Sequence, residues 1–262
     1  METQLQTYKR FAGEKFQIVV LENSKNQEET DTLIEIIKKN GVPVKLIKGI
    51  TTNYCSFAHG EGLQQIYELI IKEYPDVPYF LTQDPDFFWV QPNFLSFLKD
   101  KLSQFTTVGA PYHDQGATGG GGHPWFPAAF GAAYKLDVMK RKDINFRASD
   151  ERYPNGRMHD VGWQVRENLQ EEPYFYFDQM RTKLPFGSYS TEPFVHRYSV
   201  DDHIVAYHLH GGSLEMDWKK MRQWFKRDRY KQRLIDAKAP PEWQENRKKI
   251  CEFMWQEINK ST

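Results

Sequence analysis

The sequence predicts an α/β fold: a mostly parallel central sheet flanked by helices, with a helical extension at the carboxyl end. Short apolar runs bounded by turn residues are typical of buried parallel strands, and stretches of helical periodicity separate them. The third of these apolar runs is followed directly by two acidic residues, as expected for a strand that ends at a ligand-binding edge of the sheet. We expect a main domain over residues 1–215 and an extension over 216–262 packed on it.

The first elements predict a β-α-β unit. Residues 16–21 (FQIVVL) and 42–47 form two apolar runs, and residues 27–40 between them have one apolar helical face. Gly41 follows this face and is a typical helix stop. A right-handed crossover and a parallel strand pair are expected.

A second helix is predicted over residues 61–74, because apolar side chains recur there at the spacing of one buried face. Pro75 and Pro78 end it, and a strand running to Asp84 follows. The elements expected downstream are a helix at 94–101, strands at 108–111 and 126–134, a helix at 158–169 and a strand at 205–209.

Composition excludes some classes of protein. The chain has 262 residues and a formal net charge of zero, which argues against a general nucleic-acid binder. It has two cysteines, no apolar signal core near Met1 and no run long enough to span a membrane. We therefore expect a cytoplasmic protein.

The segment 113–123 contains four consecutive glycines, which suit neither a helix nor a strand interior. It lacks the Lys-Ser/Thr ending of a phosphate-binding loop. Two interpretations remain open, a surface loop or a mobile lid over a site.

Asp84 and Asp86 follow the third strand one residue apart. Two neighbouring carboxylates repel each other unless a cation lies between them. Oxygen ligands suit Mg²⁺ or Mn²⁺, and such an ion would hold a diphosphate. The alternative is an ordinary solvated Asp-Pro-Asp turn.

Several short motifs occur in a particular order along residues 16–215. They are Glu22-Asn23 after the first strand, Ser56-x-x-His59-Gly60-x-Gly62, Asp84-x-Asp86, Asp160-x-Gly162-Trp163 and His208-x-x-Gly211. In this order they resemble the GT-A glycosyltransferases, most closely the family 2-like sugar transferases of bacteria and viruses. The resemblance implies metal-dependent transfer of a hexose from a nucleotide-diphosphate sugar to a hydroxyl of a glycan or lipid-linked glycan.

The resemblance also implies a metal site. Asp84 and Asp86 would hold Mn²⁺ or Mg²⁺ and, through it, the donor diphosphate. His208 would complete the ligand set, and His210 is the alternative.

Donor contacts are implied at several further positions. Glu22 and Asn23 would contact the nucleoside base, mainly through main-chain atoms. His59 and Gly60 would lie at a helix start, where free N–H groups attract phosphate. Trp163 would stack on a sugar, although a buried tryptophan is the alternative.

Asp160 is the implied general base of an inverting transfer, in which a carboxylate deprotonates the acceptor hydroxyl. The sequence has His159-Asp160 where the family often has Glu-Asp. Asp160 is also expected to cap the helix that follows it. The alternative function is a non-catalytic protein on the same fold that binds a nucleotide-sugar or a glycan.

The segment 218–235 is basic and amphipathic, and residues 218–233 hold eight Lys or Arg and one acid. A helix packed on the main domain is one interpretation. The other is peripheral contact with an anionic membrane, which would suit a lipid-linked acceptor.

Overall fold

The structure is a computed structural model that describes residues 1–24, 26–49, 56–111, 125–152, 158–183 and 194–209, with positions 249, 252–256 and 258–260. The glycine-rich segment 113–123, His210 and the basic segment 218–235 lie outside the described residues. Near the end of the chain, Met254 and Ile258 are buried in the main hydrophobic core.

Helices and strands alternate along much of the described chain, which confirms the predicted α/β class. The helices are α1 (Glu2–Phe11), α2 (Gln27–Asn40), α3 (Ser56–Glu73), α4 (Phe94–Gln104), α5 (Leu136–Arg141) and α6 (Trp163–Leu169). The strands are β1 (Ile18–Glu22), β2 (Val44–Lys48), β3 (Tyr79–Gln83), β4 (Phe87–Trp89), β5 (Thr107–Pro111), β6 (Pro127–Lys135), β7 (Ser149–Arg152), β8 (Met158–His159), β9 (Tyr174–Tyr176), β10 (Asp178–Lys183), β11 (Phe194–Val200) and β12 (His203–His208). Among these helices, none is both long and apolar enough to cross a bilayer.

The predicted β-α-β start is confirmed. β1 and β2 pair in parallel, and α2 lies between them in sequence. The Asn26 side chain caps α2 by accepting a hydrogen bond of 2.9 Å from the Glu29 backbone N–H. Gly41 ends the helix at a φ of 64°, a left-handed conformation that favours glycine.

The prediction of a mostly parallel sheet is wrong for the described strands. The sheet that contains β3 has the order β3-β6-β5-β9, and β6 runs antiparallel to both of its neighbours. Within this sheet only β5 and β9 pair in parallel. A buried strand has the same hydrophobic pattern whether it runs parallel or antiparallel to its neighbours. The pattern that located β6 therefore could not predict its direction.

A second sheet, in the order β10-β11-β12-β4, is antiparallel throughout. Sequence reasoning found only β12 of this sheet, as a run at 205–209. β10 (DQMRTK) and β11 (FVHRYSV) mix charged and apolar residues and have no continuous apolar run. Their strand pairing therefore depends on tertiary contacts that a local pattern does not contain.

Aromatic residues fill much of the core. Trp89 is fully buried and stacks on Phe94 with ring centroids 5.1 Å apart. Phe87 packs against Gly131 of β6, where a β-carbon would come within 2.4 Å of the Phe87 ring. The absence of a side chain at Gly131 thus permits the close approach of the Phe87 ring to β6.

Gln83, the last residue of β3, joins three parts of the fold. Its side-chain oxygen accepts hydrogen bonds from the Tyr8 hydroxyl at 2.7 Å and from the Trp89 indole N–H at 2.8 Å. Its amide donates to the Phe87 carbonyl at 2.7 Å. The residue therefore ties α1 and β4 to the end of β3, directly before the two acids.

Replacing Gln83 by alanine is expected to lower the free energy of unfolding by about 2–4 kcal/mol, because two donors lose their acceptor. Chemical denaturation measures this loss. Gln27→Ala, at an exposed position of α2, is the matched control and is expected to change the free energy by less than about 0.5 kcal/mol. Equal losses in the two variants would contradict the linking role of Gln83.

Candidate metal centre

The two acids lie at the carboxyl end of β3, as the sequence predicts. The Asp84 backbone N–H donates to the Phe130 carbonyl of β6 at 2.9 Å, and the Asp84 carbonyl accepts from the Phe87 N–H at 3.1 Å. The Gln4 side chain of α1 also donates to the Asp84 carbonyl, at 3.0 Å. These bonds fix the turn that presents both carboxylates.

Strand pairing brings His208 to this turn from 122 residues away. β12 lies antiparallel to β4, with His208 opposite Phe87. The Leu209 N–H donates to the Asp86 carbonyl at 3.1 Å, which continues the pairing past the strand end. As a result, His208 Nε2 lies 3.2 Å from Asp86 Oδ1.

Asp84, Asp86 and His208 each offer a ligand atom, and these atoms all lie within 4.8 Å of one another. The side chains are 23%, 16% and 5% exposed, respectively. The imidazole of His208 is held by Phe130, whose ring stacks on it with centroids 4.4 Å apart. The predicted ligand residues are therefore brought together in one group.

This donor set fits a hard divalent cation. Two carboxylate oxygens and one imidazole nitrogen suit Mn²⁺, and Mg²⁺ would bind mainly through the two carboxylates. Without a cation the two carboxylates repel each other, so a cation between them would relieve that cost. A hydrogen bond between His208 Nε2 and Asp86 Oδ1 is sufficient to explain their contact, so occupation of this group by a cation stays a prediction.

His59 of α3 lies beside the same group, with its Nε2 3.1 Å from Asp84 Oδ1. Burial opposes protonation of this imidazole, but the hydrogen bond to Asp84 and the charges of Asp84, Asp160 and Asp86 outweigh it. The pKa of His59 is therefore raised above its ordinary value of 6.5. Its side chain is 43% exposed and can reach a bound anion.

The prediction that His59 and Gly60 open a helix is wrong: both lie inside α3, where Gly60 has a packing role. α3 begins at Ser56, so Gly60 lies in its second turn. A β-carbon on Gly60 would lie 2.8 Å from both the Phe146 carbonyl oxygen and the Ala148 nitrogen. Gly60 thus allows α3 to approach residues 146–148, and phosphate contact here stays a prediction.

Asp160 lies between β8 and α6, and its predicted role as N-cap of the helix is wrong. Gly162, at a φ of 70°, is the N-cap of α6. The Asp160 carboxylate instead accepts a hydrogen bond of 2.8 Å from the Val161 N–H. α6 begins at Trp163, later than the apolar periodicity predicted. The start of the predicted helix, Met158–His159, forms β8 instead.

Trp163 lies next to Asp160 at the start of α6. Its ring packs against the His159 ring with centroids 4.1 Å apart. Asp160, Trp163 and residues 126–129 line a small cavity of about 30 Å³. The indole is half-buried, so the structure favours neither stacking on a sugar nor a fully buried role.

Glu22 has a buried, paired carboxylate. It accepts hydrogen bonds from Lys48 Nζ at 2.5 Å and from the Ser24 N–H, and only 2% of its side chain is exposed. Burial by itself raises the pKa of Glu22, but these hydrogen bonds and the Lys48 charge lower it to about 2. The side chain therefore supports the loop after β1. The Glu22 carbonyl accepts a hydrogen bond of 2.8 Å from the Gly49 N–H, and contact of this main chain with a base stays a prediction.

The lowered pKa predicts a contribution of Glu22 to acid stability. The contribution is fully present above about pH 4.5 and is lost as the pH falls towards 2. Because Lys48 is largely exposed, we expect about 1–2 kcal/mol. Urea unfolding at pH 6 and pH 3 measures it: Glu22→Gln should weaken the pH dependence, whereas Glu35→Gln on the exposed face of α2 should not.

A cleft of about 690 Å³ opens beside the metal group. It lies between β1 and β3, with α1 and α3 forming its other walls. Asn23, His59 and Asp84 all line it. The cleft therefore connects the loop after β1, where a nucleoside base is predicted, with Asp84 of the predicted metal group.

Sequence reasoning missed α1, which supplies part of this cleft and holds the turn of the two acids through Gln4. A signal for it was present. Leu5, Tyr8 and Ala12 recur at helical spacing on one face, and Leu5, Phe11 and Ala12 are buried.

The other predicted functional segments lie outside the described residues: the glycine-rich segment, His210 and the basic segment 218–235. No protein-family model matches the chain, and no curated protein matches it significantly. The chemistry of the site therefore has to carry the functional conclusion.

Proposed function

We propose that the protein is a metal-dependent glycosyltransferase with a GT-A type fold, which transfers a hexose from a nucleotide-diphosphate sugar to a hydroxyl acceptor. The observation that carries the proposal is the convergence of Asp84, Asp86 and His208 at the end of β3. An open cleft begins at this group, and the charge of Asp160 acts on the same His59 as the two acids do.

The donor would lie along the cleft, with its base near Asn23 and its diphosphate near Asp84 and His59. Mn²⁺ or Mg²⁺ held by Asp84, Asp86 and His208 would neutralise the negative charge of the departing diphosphate. His59 lies beside the same carboxylates, and in its protonated form it can donate a hydrogen bond to a phosphate oxygen.

Asp160 would act as the base. Its carboxylate takes the proton of the acceptor hydroxyl while the acceptor oxygen forms a bond to the anomeric carbon. The bond from that carbon to the diphosphate oxygen breaks, and the nucleoside diphosphate leaves with the electron pair. Attack from the face opposite the leaving group inverts the configuration.

The acceptor is a glycan or a lipid-linked glycan in this proposal. Contact with a membrane through residues 218–235 and a cytoplasmic location belong to the same proposal and stay predictions. Liposome flotation of the intact chain and of a chain ending before Trp218 tests the membrane contact.

A thermal-shift screen of nucleotide-sugars with and without Mn²⁺ tests the proposed donor. We expect one nucleotide class to raise the melting temperature in the presence of metal only. Asp86→Asn should abolish the shift, and Asp100→Asn, at an exposed position of α4, should retain it. If no nucleotide-sugar gives a metal-dependent shift, the proposal fails.

A consumption assay with the donor identified by the screen distinguishes an enzyme from a binding protein. An enzyme consumes the selected donor, by hydrolysis or by transfer to added glycans, and Asp160→Asn slows this. A donor that binds with metal and is never consumed would support the non-catalytic alternative.

A further inference from the structure

Among the described residues, the exposed large hydrophobic side chains are Trp125, Tyr176 and Met180, at 38%, 40% and 52% exposure. Trp125 and Tyr176 are not scattered. Their rings stack on each other, with centroids 5.8 Å apart and planes 24° apart. Single exposed apolar residues need no explanation, whereas adjoining exposed apolar side chains are candidates for an interaction surface.

The pair has a definite place in the fold. Tyr176 ends β9, which runs parallel to β5, and Trp125 lies two residues before β6, which runs antiparallel to β5. Both residues therefore lie at the sheet edge where β3 ends and Asp84 follows. This is the edge that carries the metal group.

The pair is also next to the proposed base. Phe126, which adjoins Trp125 in sequence, lines the small cavity that Asp160 and Trp163 also line. Consecutive Cα atoms are about 3.8 Å apart, so Trp125 adjoins this cavity, and the pair lies within reach of an oligosaccharide whose hydroxyl is at Asp160.

We propose that Trp125 and Tyr176 form a platform for a pyranose ring of the acceptor. The proposal rests on the proposed function and names the acceptor class as a carbohydrate of at least two sugar units. A pyranose ring presents an apolar face of C–H groups that packs on an aromatic plane, while its hydroxyls stay in water. The two rings steady each other through their mutual stack, so little side-chain entropy is lost on binding.

Titration of ¹⁵N-indole-labelled protein with maltose, cellobiose, lactose and chitobiose tests the platform. The indole signal of Trp125, assigned by its loss in Trp125→Phe, is expected to shift with at least one disaccharide. The signal of Trp89, which is fully buried in the core, is expected to stay in place. Saturation-transfer NMR should place the contact on the C–H face of one sugar ring.

Tyr176→Ala and Trp125→Ala are expected to weaken disaccharide binding about ten-fold. Met180→Ala, the control at the third large hydrophobic residue that is exposed in the described part of the chain, should leave binding unchanged. A Trp125 signal that shifts with no sugar, or binding that is indifferent to both platform variants, would overturn the platform. The wild-type titration decides the matter even if a variant fails to fold.

Failure of the platform is distinguishable from failure of the proposed function. Metal-dependent donor binding should be equal in the wild type, Trp125→Ala and Tyr176→Ala, because neither residue belongs to the metal group. Loss of disaccharide binding with intact donor binding in the two variants supports the platform. Disaccharide binding at Trp125 with no donor binding in the wild type would remove the transferase and, with it, the acceptor role.

Discussion

Asp86→Asn is expected to lower kcat/KM for sugar transfer by at least about a thousand-fold with saturating Mn²⁺. The substitution keeps the size of the side chain but removes the charge of a carboxylate that is 16% exposed and 3.2 Å from His208. A weaker metal site stabilises the departing diphosphate less, and several kcal/mol of such stabilisation correspond to this factor. Consumption of the donor identified in the thermal-shift screen is the measurement.

The control for this substitution is Asp100→Asn, which removes an exposed acid of α4 and should keep full activity. The fold of Asp86→Asn should be intact, because relief of the repulsion between Asp84 and Asp86 offsets the lost contact with His208. An unfolding free energy within about 1 kcal/mol of the wild type is expected. Normal turnover by the variant would exclude Asp86 as a metal ligand.

Asp160→Asn is expected to lower kcat by about 10²–10⁴-fold while donor binding changes little. Asparagine keeps an oxygen that can accept the Val161 N–H bond, so the local backbone should hold. Its amide cannot take the proton of the acceptor hydroxyl at neutral pH. Single-turnover transfer and metal-dependent donor titration measure the two effects separately.

Asp150→Asn, at an exposed position of β7, is the matched control for this substitution. If Asp160→Asn loses donor binding as well as transfer, Asp160 serves the donor and is not the base. If it turns over at a near-normal rate, another group accepts the proton.

The local parts of the fold could be predicted from the sequence. The α2 boundaries are encoded in Asn26 and Gly41, and β1, α3 and β3 are encoded in apolar runs and helical spacing. The position of Asp84 and Asp86 at a strand end followed from the same patterns. Each of these features depends on neighbours within a few residues.

The remaining features depend on long-range pairing. The direction of β6 and the sheet formed by β10, β11, β12 and β4 are set by tertiary contacts. His208 meets Asp86 only because β12 pairs with β4 in one register, with His208 opposite Phe87. Family resemblance suggested this histidine, and no local pattern could have placed it. The stack of Trp125 on Tyr176 likewise joins a residue before β6 to the last residue of β9. No local sequence pattern predicts this contact.

Asp84, Asp86 and His208 are proposed to hold a divalent cation that carries a nucleoside diphosphate. Pulsed electron paramagnetic resonance of Mn²⁺ in the presence of UDP, GDP, CDP, ADP and dTDP tests it directly. We expect ¹⁴N coupling from an imidazole and, with one nucleotide, ³¹P coupling. His208→Asn should remove the ¹⁴N signal, and Asp86→Asn should remove most of the bound Mn²⁺. A ¹⁴N signal that persists in His208→Asn, or Mn²⁺ coupled to water protons alone in the wild type, would contradict the claim.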